Sequence, residues 1–143
     1  MKYNILILTA LLTVTALLSG CSDGKPKRTP VSGRILFEGL EQPAEGVIYF
    51  APVSGELKRP GFGKFDSTGH YSVTSFGREK QDGLLPGTYK VYVEAFKSLP
   101  TPENPNPPSY IPTAYQSADK TPLELVVPPG GKKITQDFTI TKE

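Results

Sequence analysis

An aspartate and the histidine of this sequence, both of which have the chemistry of a catalytic or metal-binding group, lie around one short turn. His70 is the only histidine, and it directly follows the segment Asp66-Ser67-Thr68-Gly69. A transition-metal site needs several imidazole, thiolate or carboxylate ligands, and a serine triad needs an exposed nucleophile on a sharp turn. Neither pattern surrounds His70. We therefore predict a structural His70 at the surface or at a strand edge. We also predict an Asp66 that caps its turn rather than one that binds calcium. The sequence predicts no catalytic residue, no metal site and no cofactor.

Aromatic side chains form the second candidate group. Tyr92 and Phe96 lie on the nominally outward face of a predicted strand over 88–96, and Tyr110 and Tyr115 lie in a proline-rich segment. Exposed aromatic rings stack on flat apolar faces such as those of sugars, which makes these four residues candidate ligand contacts. The alternative for Tyr92 and Phe96 is that both faces of the strand are covered locally, for example by the proline-rich segment.

Residues 1–20 are predicted to be a secretory signal peptide. Lys2 supplies a positive charge, and residues 5–18 are apolar except for three threonines. As a helix this stretch would be about 21 Å long, shorter than the ~30 Å hydrocarbon core of a bilayer. That length is typical of a signal peptide rather than of a membrane-spanning helix.

The apolar stretch ends in Leu18-Ser19-Gly20-Cys21, which resembles the bacterial lipobox. The resemblance implies that Cys21 receives a diacylglycerol thioether and becomes the N-terminus after cleavage. Two or three acyl chains, at ~0.8 kcal/mol for each buried methylene, would anchor the chain durably to a membrane. The alternative is a plain signal peptide with an incidental cysteine. The resemblance places the domain in the cell envelope, outside the cytoplasm, and leaves open which membrane holds it.

Residues 21–30 are predicted to form the lipidated cysteine and a flexible tether, because the segment is polar and contains glycine and proline. Lys25, Lys27 and Arg28 form the longest basic run in a chain of formal charge +2. These charges either solvate the tether or favour anionic lipid headgroups. Nucleic-acid binding would need a basic stripe interleaved with aromatic residues, which the sequence lacks, so no nucleic-acid partner is expected.

From Val31 onward apolar and polar residues alternate, which is typical of half-buried strands. Fifteen prolines and fourteen glycines punctuate the chain and favour turns between short strands over long helices. Seven strands are predicted, over 31–38, 47–51, 62–65, 71–74, 88–96, 123–127 and 134–140. Seven short strands with close turn signals predict one all-β domain over 31–143, folded as a two-sheet sandwich.

One long irregular segment, residues 98–122, carries seven of the prolines. A loop of this length is either functional or loosely ordered. Proline density favours extended polyproline geometry, so the segment is predicted to be either a stiff crossover between sheets or a binding loop.

Three segments in this order, residues 31–39, 66–71 and 85–91, resemble the carboxypeptidase regulatory-like, or transthyretin-like, β-sandwich domain. Together with the lipobox and Ile111-Pro112-Thr113-Ala114-Tyr115, they make the chain similar to small lipoproteins of planctomycete-type bacteria. The resemblance implies a single seven-stranded Greek-key sandwich, prealbumin-like, of largely unassigned role. Enzymes of related topology rely on several histidines, whereas this chain has His70 alone.

These observations favour a non-catalytic envelope lipoprotein whose domain has a structural or binding role. Its expected partners are the membrane, through Cys21, and an envelope protein or polysaccharide. The alternative is a carbohydrate-binding accessory protein that uses the candidate aromatic residues.

Overall fold

Strands make up the regular structure of the described residues. The structure is a computed structural model that describes residues 26–55, 58–75 and 82–142. The strands in chain order are β1 (Val31–Glu38), β2 (Gly46–Pro52), β3 (Gly61–Phe65), β4 (His70–Ser72), β5 (Thr74–Ser75), β6 (Gly87–Glu94), β7 (Glu124–Val127), β8 (Ile134–Thr135) and β9 (Phe138–Thr141). One 3₁₀ turn, Thr113–Tyr115, precedes β7. The predicted all-β fold class is confirmed.

The strands form one curled, mixed sheet in the order β7-β6-β2-β3-β4-β1-β8. β5 pairs with β3, and β9 pairs with β1. The pairs β2–β3, β2–β6, β6–β7 and β1–β4 are antiparallel, whereas β8 and β9 run parallel to β1. The sheet is mixed because the closing strands run in the same direction as the first strand.

The core lies on the inner face of this curled sheet. Alternate residues point inward, so Ile35 of β1, Phe50 of β2 and Val91 of β6 are all buried. The same cluster includes Leu125 of β7 and Phe138 of β9, which come from opposite ends of the strand order. Burial of both ends in one cluster shows that the sheet curls around a single interior.

Two of the seven predicted strand segments are each divided in the structure. Segment 71–74 contains β4, which pairs with β1 and β3, and the start of β5, which pairs with β3 alone. Segment 134–140 is divided into β8 and β9 at Gln136 and Asp137. The Gln136 carbonyl turns inward and accepts a 2.6 Å hydrogen bond from the Tyr71 hydroxyl. At the strand edge the Asp137 carboxylate, in place of the Gln136 carbonyl, accepts a hydrogen bond from the Arg34 N–H at 2.8 Å.

Gly33 makes this inward turn of the Gln136 carbonyl sterically feasible. A β-carbon on Gly33 would lie 1.7 Å from the Gln136 carbonyl oxygen, far inside van der Waals contact. The glycine in β1 therefore determines where the closing strand is interrupted.

The folded domain begins earlier than the predicted boundary at Val31. Thr29 is fully buried, and its backbone exchanges two hydrogen bonds with Leu84, at 2.8 and 2.9 Å. The Pro30 carbonyl accepts a hydrogen bond from Ile134, and Arg28 pairs with Asp82 at 3.2 Å. Residues 28–30 therefore contact the described fold, through backbone hydrogen bonds of Thr29 and Pro30 and through the side chain of Arg28.

The proline-rich segment lies partly against the sheet. Ile111 and Tyr115 are buried in the core, and the Thr121 hydroxyl donates to the Val91 carbonyl at 2.5 Å. Residues 98–106 are exposed, and the side chain of Leu99 is 82% exposed. The second half of the segment therefore packs as a crossover, while the first half projects from the fold.

Candidate binding groove

An open groove lies on the outer face of the sheet, across β3, β4, β1 and β8. This groove has a volume of about 680 Å³. Its walls come from alternate residues opposite the core: because Val31 and Ile35 point inward, Ser32 and Arg34 point outward. The groove is lined in full by Ser32, Gly33, Arg34, Lys64, His70, Tyr71, Ser72, Lys133, Thr135 and Asp137.

A row of hydroxyl groups crosses the floor of the groove. Ser32 pairs with Thr135 on one side and with Ser72 on the other. Phe65 of β3 lies opposite Tyr71 of β4, and the two strands are antiparallel. Lys64 therefore lies opposite Ser72, and it is the last residue of the row. Neighbouring strands are about 4.8 Å apart, so the three hydroxyl-bearing residues span about 10 Å. The row offers hydroxyl donors at regular spacing with an ammonium group at one end.

Cations outnumber anions in the groove. Arg34, Lys64 and Lys133 are exposed, and Asp137 is the one carboxylate in the lining. An Asp137 oxygen already accepts the Arg34 backbone N–H. Neither lysine makes an ion pair with another described residue. This charge distribution, together with the hydroxyl row, favours an anionic ligand over a cationic one.

His70 lies at the rim of the groove, at the start of β4, and both of its ring nitrogens are hydrogen-bonded. Arg34 Nε donates to His70 Nε2 at 2.8 Å, and His70 Nδ1 lies 3.0 Å from the Thr68 hydroxyl. Thr68 in turn donates to an Asp66 oxygen at 2.6 Å. Because Nε2 accepts, the proton of the neutral ring is on Nδ1 and is donated to Thr68. The imidazole therefore orients the Arg34 side chain at the groove.

Asp66 closes the same chain of hydrogen bonds. One of its oxygens accepts from the Thr68 hydroxyl, the Thr68 N–H and the His70 N–H. These hydrogen bonds lower the pKa of Asp66 below its usual value, and the bond from the Thr68 hydroxyl makes the largest contribution. The turn also places Gly69 at φ +79°, a backbone conformation that favours glycine. Asp66 thus caps the turn between β3 and β4.

An aromatic pair lies beside the groove on the same outer face. Tyr49 of β2 and Tyr92 of β6 pair across the strands, and their rings stack with centroids 4.9 Å apart and an angle of 13°. Burial and the neighbouring Glu94 carboxylate raise the pKa of Tyr49 to about 12. Both rings are half-buried, and both hydroxyls stay protonated at neutral pH. Tyr92 is therefore half-buried against a partner ring, Tyr49, that the sequence did not single out.

The other candidate aromatic residues do not gather around Tyr92. Phe96, two residues after β6, is 43% exposed and forms an isolated bridge with Ser109. Tyr110 packs against the core, and the Lys97 ammonium group lies 5.0 Å from its ring centroid. Tyr115 is 8% exposed, and its hydroxyl lies 3.1 Å from the Thr141 hydroxyl. The structure thus places Tyr115 in the core and leaves Phe96 as an isolated exposed ring.

The predicted signal peptide, the lipobox residues Leu18, Ser19 and Gly20, and the lipid-accepting Cys21 lie outside the described residues. Within the residues that are described, no helix is long and apolar enough to span a membrane. The described part of the chain also brings together no group of three histidine, cysteine or acidic side chains that could hold a metal ion.

The groove residues Ser32, Lys64, Ser72, Lys133 and Thr135 were missed by sequence reasoning. Four of them are ordinary polar residues on outward strand positions, and Lys133 directly precedes β8, so only the strand register brings them together. The one sequence signal was the alternation of apolar and polar residues from Val31 onward, because it places Ser32 and Arg34 on the face opposite Val31 and Ile35.

Comparisons with known proteins leave the chain without an assigned family. The sequence matches no protein-family model, and a search of curated proteins finds no match either.

Proposed function

We propose that this protein is a lipid-anchored, non-catalytic envelope protein whose β domain binds an anionic polymer in the outer-face groove. The anchor is supported by Leu18-Ser19-Gly20-Cys21 at the end of the apolar stretch. The binding role is supported by one observation above the others: a hydroxyl row flanked by Arg34, Lys64 and Lys133. Charge-assisted hydrogen bonds from such groups to carboxylate or phosphate oxygens are stronger than neutral ones.

The binding role is also supported by the hydrogen bonds of His70. Its two ring nitrogens bond to Arg34 and Thr68, so the imidazole positions the Arg34 side chain. Arg34 held in this way is preorganised to contact an anion, because part of its side-chain entropy is lost before binding.

The test is retention of the lipidated protein on immobilised alginate, a polyuronate, compared with neutral dextran. We expect binding to alginate at low salt that weakens as salt is added, since contacts between exposed charges are screened. Lys64→Ala should weaken retention about tenfold, on the scale of one lost charge-assisted hydrogen bond. Lys90→Ala is the matched control, because Lys90 pairs with Glu124 outside the groove. Equal retention on dextran and alginate, or equal effects of the two variants, would contradict the proposal.

A second candidate function, carbohydrate binding by an aromatic surface, is favoured by the stacked Tyr49–Tyr92 pair. An exposed face of Tyr92 could receive a sugar ring while Tyr49 supports it from the other side. This candidate predicts retention on neutral glycans that is reduced by Tyr92→Ala and unaffected by Lys64→Ala.

We also propose that the curled sheet is a transthyretin-like, seven-stranded Greek-key sandwich. The proposal is supported by the seven predicted segments, all of which contain strands, and by the return of the closing strands to β1. An experimental structure with two facing sheets in Greek-key order would establish it, and a single continuous barrel would overturn it.

A further inference from the structure

The described chain enters the domain at one end of the sheet, where several loops meet. β1 starts at this end, so the antiparallel arrangement of its neighbours brings the end of β2, the start of β6 and the end of β7 to the same place. Contacts confirm the grouping, since Gly131 lies against Lys27, Gly55 lies against Pro86, and Thr29 pairs with Leu84. We call the loops at this end, residues 26–30, 53–55, 58–60, 82–86 and 128–133, the tether end.

The tether end is strongly basic. It carries five exposed cations, namely Lys27, Lys58, Arg59, Lys132 and Lys133, the last of which also lines the groove. Among the described residues of the tether end the one acid is Asp82, and it pairs with a sixth cation, Arg28, at 3.2 Å. The five exposed cations therefore have no compensating acid among the described residues of this end.

At the opposite end of the sheet acids outnumber cations. Its described residues, 39–45, 66–69, 95–123 and 142, carry the acids Glu41, Glu45, Asp66, Glu103 and Asp119 and the cations Lys97, Lys120 and Lys142. Lys97, which follows β6, pairs with Glu41 at 3.0 Å. The small formal charge of the chain, +2, thus conceals a separation of charge along the strand direction.

The length of the preceding segment limits where the tether end can lie. Five residue steps separate Cys21 from Pro26, and a fully extended chain spans at most about 18 Å over that length. A lipid on Cys21 would hold the basic end this close to the bilayer surface, where each basic residue is attracted by anionic headgroups. We propose that the tether end docks on the anionic headgroups of the membrane that holds Cys21. This inference rests on the lipid anchor proposed above.

Lysine footprinting of the intact lipidated protein tests this docking. The protein is reconstituted in vesicles of phosphatidylcholine, or of phosphatidylcholine mixed with phosphatidylglycerol, and treated with a membrane-impermeant amine reagent. Mass spectrometry then reports the modification of each lysine. In the anionic vesicles we expect labelling of Lys27 and Lys133 to fall about threefold, because headgroups attract and cover the basic end. Labelling of Lys97 and Lys142, near the opposite end, should be the same in both vesicles. The protection should disappear near 1 M salt, where the Debye length is about 3 Å.

Charge reversal supplies the matched comparison. Lys58→Glu combined with Lys132→Glu should abolish the protection of Lys27 and Lys133, and it leaves every groove residue in place. Lys120→Glu combined with Lys142→Glu, at exposed positions outside the tether end, should preserve it. Equal labelling in the two kinds of vesicle, or protection of Lys142, would overturn the docking proposal. Failure of the anchor itself is a separate result: Cys21 would lack the diacylglycerol mass, and the protein would not float with the vesicles.

Discussion

At the scale of single residues, the turn between β3 and β4 combines backbone capping with orientation of a groove side chain. Asp66, Thr68, His70 and Arg34 form one chain of hydrogen bonds, each link between 2.6 and 3.0 Å. All of these residues are exposed, so water competes for every link. The arrangement therefore contributes to geometry and ionisation more than to overall stability.

Thr68→Val should raise the pKa of Asp66 toward its usual value, because the largest cause of its lowering is the hydrogen bond from the Thr68 hydroxyl. A carboxyl whose pKa is lowered by folding stabilises the fold at neutral pH. That contribution is complete above the unfolded-state pKa and is lost as the pH falls through the folded-state value. NMR titration of the Asp66 side chain measures the shift. Ser67→Ala, one residue away, is the control and should leave the titration unchanged.

The buried hydroxyl of Thr29 gives a second prediction at this scale. Thr29 is fully buried, and its Oγ1 has no hydrogen-bond partner among the described residues. An unsatisfied buried hydroxyl costs free energy, whereas a methyl group of the same shape does not. Thr29→Val should therefore stabilise the domain by up to about 1 kcal/mol, measured by urea unfolding. A loss of stability would indicate that the hydroxyl has a partner in solution.

At the scale of elements, the alternation of residues predicted which segments are strands and which side chains point inward. Alternate apolar residues, Ile48 and Phe50 of β2 and Tyr89, Val91 and Val93 of β6, are buried. The register between strands was not predictable, because alternation fixes a face but does not say which residues lie opposite each other. The groove depends on that register, so its hydroxyl row could not be found from the sequence. The interruption at Gln136 depends on a close approach to Gly33, which also leaves no periodic signal.

Gly33→Ala tests how strongly this close approach determines the closing strands. A methyl group at this position would overlap the Gln136 carbonyl, which must then move away from the Tyr71 hydroxyl. We expect a loss of about 3 kcal/mol in the free energy of unfolding, at the upper end of overpacking costs. Ser32→Ala, the preceding residue on the outward face, should change stability by less than about 0.5 kcal/mol. Equal small effects of both variants would mean that the closing strand can shift without cost.

At the scale of the whole molecule, the entry segment and the closing strands secure each other. The Pro30 carbonyl accepts a hydrogen bond from the Ile134 N–H at the start of β8. β1 also pairs in parallel with β9, where Leu36 lies opposite Thr139. The first and last parts of the described chain therefore lie side by side on one edge of the sheet. A force applied through the tether would act on this edge, since residues 28–30 connect the preceding segment to β1.

This arrangement predicts that the domain boundary lies before Thr29. A chain that begins at Val31 lacks the two Thr29–Leu84 hydrogen bonds, the Pro30–Ile134 bond and the Arg28–Asp82 pair. At about 1 kcal/mol for each backbone hydrogen bond, the loss should be about 3 kcal/mol in the free energy of unfolding. A chain that begins at Pro26 keeps all of these contacts and should match the mature protein in urea unfolding. If the chain from Val31 were equally stable, residues 28–30 would be a tether after all, and the anchor would hold the domain more loosely than the tether-end docking requires.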